Sequence, residues 1–72
     1  MDGRTRYSKA KKVLQNIVGE EMHSEKLRRK IMMEIGTSEN LISDTIKMMM
    51  ELGMIREIDH MIFKIEKAEA DV

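Results

Sequence analysis

Two sets of residues in this 72-residue chain are of types that could do chemistry. One is cationic: Arg4, Arg6, Lys9, Lys11 and Lys12, then Lys26, Arg28, Arg29 and Lys30. Such runs serve either as solvated helix surface or as contacts for phosphate, and their types alone fit both. The other set is Glu39, Asn40, Ser43, Asp44 and Lys47, side chains that donate and accept hydrogen bonds. No constellation for covalent or acid–base catalysis accompanies them. There is no Ser/His/Asp set, no P-loop and no glycine-rich phosphate cradle, so a non-enzyme is expected. The only histidines, His23 and His60, stand alone, whereas a metal site needs three or four clustered ligands. They read as a cap-region residue and a turn residue, and neither a metal nor a cofactor is expected.

The bounds agree with a binding role. Seventy-two residues make one domain close to the lower size limit for a self-sufficient core, and such chains often gain stability by pairing with a copy of themselves. A homodimer is therefore expected. Without Cys there is no disulfide framework and no thiolate metal site. No apolar run approaches the roughly 18 residues of a membrane helix, and no signal-peptide core is visible, so a soluble cytoplasmic protein without a membrane partner is expected. Net charge is zero, yet residues 1–30 hold nine Lys/Arg against four Asp/Glu, and residues 31–72 hold four against nine. The local asymmetry matters more for an anionic partner than the neutral sum. Nine Met and no Pro suggest an adaptable interior.

Periodicity predicts the elements that would position these side chains. Met1 to Arg6 reads as a loose basic arm. A helix is predicted from about Thr5–Ser8 to Val18, with Tyr7, Ala10, Leu14, Ile17 and Val18 on one face and Val13 beside it. Gly19 ends it, and Glu20 to Met22 reads as a short strand with Met22 inward. Ser24 is the expected N-cap of a second helix whose buried stripe is Leu27, Ile31 and Ile35, widened by Met32. Lys26, Arg28, Arg29 and Lys30 surround Leu27, so some of them must point toward the next helix. Gly36 is expected to turn out of the second helix in a left-handed conformation, with Thr37 or Ser38 as the following cap. Ile42, Ile46, Met49 and Leu52 mark the buried face of a third helix, closed by Gly53. Leu41, Met48 and Met50 lie outside that stripe and read as either core spread or an interface. Ile55, Phe63 and Ile65 alternate inward in a hairpin turning at Asp59-His60, with a longer turn as the alternative because His substitutes poorly for Gly there. The Glu-Ala-Asp-rich tail, 66–72, reads as a frayed helix or disorder.

The stretch EIGTSENLISDTIKMMMELGMI, Glu34 to Ile55, resembles the winged helix-turn-helix DNA-binding family, with an ArsR/MarR-like pattern. Gly36, Ser38, Ile42, Ser43, Ile46, Lys47, Leu52, Gly53 and Ile55 fall on matching positions. Thr37 departs, since the family usually has Ile or Val there. The resemblance implies an α+β, mostly α fold: one winged-helix domain over 1–72, three helices followed by a short hairpin wing.

It also implies a transcriptional regulator that binds double-stranded DNA and reads the major groove with the third helix. Asn40, Ser43, Asp44 and Lys47 would then contact bases, Asn40 pairing with adenine and Lys47 reaching guanine or phosphate. Arg4, Arg6, Lys26, Arg28, Arg29, Ser38 and Arg56 would contact phosphates. Two features of the sequence oppose this. Glu39 and Asp44 place acid on the recognition helix, and the wing carries only Arg56 and Lys64 as cations. The alternatives are a winged-helix protein-interaction module, with a partner held through Leu41, Met48 and Met50, and an architectural nucleic-acid-binding protein with little sequence preference.

Overall fold

A computed structural model of the chain describes residues 3–69, apart from the Arg4 side chain. The elements run α1 (Gly3–Leu14), β1 (Glu21–His23), α2 (Ser24–Glu34), α3 (Glu39–Glu51), β2 (Ile55–Asp59) and β3 (Ile62–Ile65). The strands form one antiparallel sheet in the order β1-β3-β2. This is an α+β chain, mostly helical, with the layout of a winged helix-turn-helix.

One core joins helices and sheet. Ala10, Leu14 and Ile17 meet Leu27, Ile31 and Ile35, and Ile42 and Met49 of α3 close over them. Met22, Met54, Ile55, Phe63 and Ile65 supply the sheet side. The inward residues expected of the strand pair are thus the buried ones. Cross-strand partners fix the register, Met22 against Phe63 and Ile55 against Ile65.

The ends of α3 explain its length. The Ser38 hydroxyl accepts from the Leu41 N–H at 3.4 Å, satisfying one of the donors a helix start leaves unpaired. At the other end Gly53 has φ 73, its N–H donates to the Met50 carbonyl, and the Met54 N–H donates to the Met49 carbonyl. That pair of bonds is a Schellman stop, and its left-handed residue favours glycine.

Several expectations are corrected. Helix α1 starts at Gly3, so the residues from Gly3 to Arg6 are helical rather than a loose arm, and it stops at Leu14 rather than near Val18. Val18 is exposed. The cap of α2 is His23, whose Nδ1 accepts from the Glu25 N–H at 3.1 Å. Ser24 is instead the first helical residue; it is buried, and its N–H donates to the Met61 carbonyl. Met32 and Leu52 do not extend the buried stripes; both are exposed. Gly36 leaves α2 at a positive φ of 157, which favours glycine as expected, though it is not the left-handed helical value.

The hairpin turn is His60-Met61 rather than Asp59-His60, with Asp59 opposite Ile62 and a bulge between Glu57 and Asp59. Met61 takes the positive φ of 63, a strained choice for a residue with a Cβ. The tail makes no helix through Glu69. The Glu66 and Lys67 N–H groups both donate to the Met54 carbonyl, and Ala68 packs on the core. The part of the tail at 70–72 lies outside the described residues.

Candidate nucleic-acid interface

The inward residues of α3 determine what it leaves outside. Ile42, Thr45 and Met49 are buried, and Ile46 is half-buried. One hundred degrees per residue then turns Glu39, Asn40, Ser43, Asp44 and Lys47 outward, and all five are exposed. Thr45 was missing from the expected stripe. Its Oγ1 donates to the Leu41 carbonyl at 2.7 Å, which removes the cost of burying a hydroxyl. Leu41 and Met48 are half-buried against the core, which accounts for two of the three apolar residues expected to be spare; Met50 stays exposed.

The four clustered cations of α2 separate around its circumference. Arg28 turns to α3, where its Nη2 donates to Glu39 Oε2 at 2.5 Å. Lys30 borders α1, in a shallow cleft with Lys12, Val13, Met33 and Glu34. Lys26 and Arg29 are exposed and form no ion pair among the described residues. Sequence periodicity implied that some of the four must face α3; geometry selects Arg28.

Two adjoining open clefts trace the surface around Arg28. One is lined by Arg28, Ser43, Ile46, Lys47, Met50 and Glu51. The other is lined by Ser24, Glu25, Arg28, Ile46, Met61 and Phe63. Because both contain Arg28 and Ile46, the start of α2, the outward side of α3 and the hairpin turn border one continuous surface. Of the base-contact candidates, Ser43 and Lys47 line it directly. Asn40 and Asp44 are exposed on the same helix beside them.

The remaining phosphate candidates are placed less uniformly. Ser38 uses its hydroxyl as the α3 cap, leaving its exposed position at the leading end of that helix. Arg6 is half-buried, and its Nε is enclosed without a hydrogen-bond partner. The Arg4 side chain lies outside the description. Arg56 is held by Glu66, Nε to Oε1 at 2.7 Å, and that contact keeps the Glu66 carboxyl below its ordinary value. On α1, Lys11 pairs with Glu69 at 2.7 Å, which raises the Lys11 ammonium above its ordinary value, and Lys12 pairs with Glu34 at 3.3 Å.

The surface so assembled has Ser43, Lys47 and the Glu39-paired Arg28 along it, Glu25 and Glu51 among its lining, and an apolar strip of Ile46 and Met50. Compared with family models, curated proteins and solved structures, the chain finds no significant match in any of the three.

Proposed function

We propose that the protein is a small, non-catalytic, cytoplasmic DNA-binding protein that reads the major groove with the leading half of α3 and acts as a transcriptional regulator. The observation that carries this reading is the single surface shared by Arg28, Ser43 and Lys47, with the hairpin turn at its border. A helix end presenting Asn40 and Ser43 offers base-edge hydrogen bonds, Arg28 lies on the same surface, and Lys26 and Arg29 are exposed elsewhere on α2 for phosphate neutralisation. Phosphate neutralisation supplies much of the affinity, so a neutral chain can still bind when its cations are concentrated on the contacting side. Binding as a homodimer would place two α3 helices on half-sites about one helical turn apart.

Fluorescence anisotropy against duplex DNA at low and high salt tests the proposal. Micromolar or tighter binding that weakens steeply with salt is expected. Absence of binding, or binding indifferent to salt, counts against it. A second reading, a protein-interaction module, draws support from Ile46 and Met50 lining the same cleft as Lys47. If that reading holds, Met50→Asp abolishes capture of a partner protein while Arg28→Ala leaves it intact.

A further inference from the structure

We infer that Glu39, held in place by Arg28, reads a base and selects cytosine at one position of the bound site. This rests on the DNA-binding reading above. Glu39 is the first residue of α3 and its side chain is 81% exposed, while the Arg28 side chain that grips it is only 32% exposed. The less exposed guanidinium is the anchor and the carboxylate is the presented group. Only Oε2 is engaged; among the described residues Oε1 has no partner.

A bare carboxylate in the groove is repelled by the flanking phosphates. Paired with Arg28 it carries little net charge, so the chief objection to acid on a recognition helix is largely removed at this position. What remains is an acceptor with no donor of its own. In the major groove that matches the cytosine N4 amino group. Guanine O6 and N7 and thymine O4 are acceptors and confront it, and adenine sets its N7 acceptor beside its amino group. The arrangement therefore discriminates by chemistry rather than by shape. Arg28 keeps further N–H groups for the phosphate backbone, so one side chain both orients the reader and fixes its depth.

The experiment is selection from a randomised duplex library with the wild-type chain, Glu39→Gln and Arg28→Ala, followed by anisotropy on the selected duplexes. Circular dichroism establishes that each variant is folded. The wild type is expected to return one position fixed as cytosine, preferred by about tenfold over other bases. Glutamine keeps the shape but adds a donor, which suits the N6/N7 edge, so Glu39→Gln is expected to return adenine there with other positions unchanged. Arg28→Ala is expected to lose the cytosine preference and to weaken binding to every sequence. If Glu39→Gln binds all duplexes more tightly and selects the same site as the wild type, Glu39 only repels phosphate and the inference is overturned. Selection by the wild type of sites without a fixed cytosine overturns it equally. A wild-type chain that binds no duplex removes the DNA-binding reading itself, an outcome distinct from either.

Discussion

Helix α2 and the hairpin of β2 and β3 both border α3, and both carry cations, but the cations are treated differently. On α2, Lys26 and Arg29 are exposed and unpaired among the described residues, and Arg28 is paired with Glu39 at the start of α3. On the hairpin, Arg56 is bound by Glu66 and sits across the strand pair from Lys64, with exposed Glu57 and Asp59 nearby in sequence. The acid that neutralises Arg56 comes from the segment after β3, whose backbone is fixed by hydrogen bonds to Met54. Acid from the C-terminal part engages one arginine on each flank of α3, Arg56 through Glu66 and Arg28 through Glu39, while Lys26 and Arg29 of α2 stay without an ion pair among the described residues. Under the proposed DNA-binding reading, the unpaired cations of α2 would supply more of the phosphate contacts than the wing would.

The largest test of that asymmetry removes the α2 cations. Arg28→Ala with Arg29→Ala is expected to weaken binding to all sequences by about ten- to a hundredfold. The salt slope is expected to fall by at least one contact's worth, that of the unpaired Arg29. Both residues lie outside the buried core, so the thermal midpoint should change little. Undiminished binding by a folded double variant would break the comparison, because the flank assigned to phosphate would then be idle.

A smaller effect is expected from the centre of the surface. Asn40→Ala and Lys47→Ala should lower discrimination between sites, each by roughly 1–3 kcal/mol. Asn40 is uncharged, so its loss should leave the salt slope unchanged, whereas loss of Lys47 should reduce it by up to about one. Competition binding between the selected duplex and a scrambled one separates these outcomes. An Asn40→Ala variant with unaltered discrimination would shift base reading away from that turn of α3.

How much of this could be read from the residues depends on the range of the interaction involved. The α3 boundaries were readable because Ser38 and Gly53 act on their own helix ends. Ile42 and Met49 were readable because helical period alone puts them inside. Thr45 was not, since its burial depends on a bond to Leu41 that polarity does not announce. Val18, Met32 and Leu52 are apolar and near the stripes, but local periodicity does not say where a neighbouring element ends and leaves them exposed. The Arg28–Glu39 and Arg56–Glu66 pairs span 11 and 10 residues across a turn or a strand, so no helical or strand period marks them. The surface's components were readable; their pairing was not.

The smallest effects concern the wing. Because Arg56 is already engaged, Arg56→Ala should leave DNA affinity nearly unchanged, while Glu66→Gln should release the guanidinium and raise the salt slope by up to about one contact. A loss from Arg56→Ala comparable to that from Arg28→Ala would show that Glu66 surrenders its partner on binding and that the flanks are equivalent. The same pair has a pH signature. The Glu66 carboxyl is held below its ordinary value first by its hydrogen bond from Arg56, against some desolvation, with Lys64 and Lys67 adding attraction. A carboxyl lowered in the folded chain contributes stability above its unfolded value, and that contribution is lost as pH falls through the folded one. The wild-type thermal midpoint should therefore fall more steeply than that of Glu66→Gln as pH drops through and below the ordinary glutamate range, and the two should run parallel at neutral pH. The difference should be small, since both groups face solvent and salt screens them. Parallel curves throughout would mean that the Arg56–Glu66 contact forms too rarely in solution to neutralise the wing, and the asymmetry around α3 would then have to rest on α2 alone.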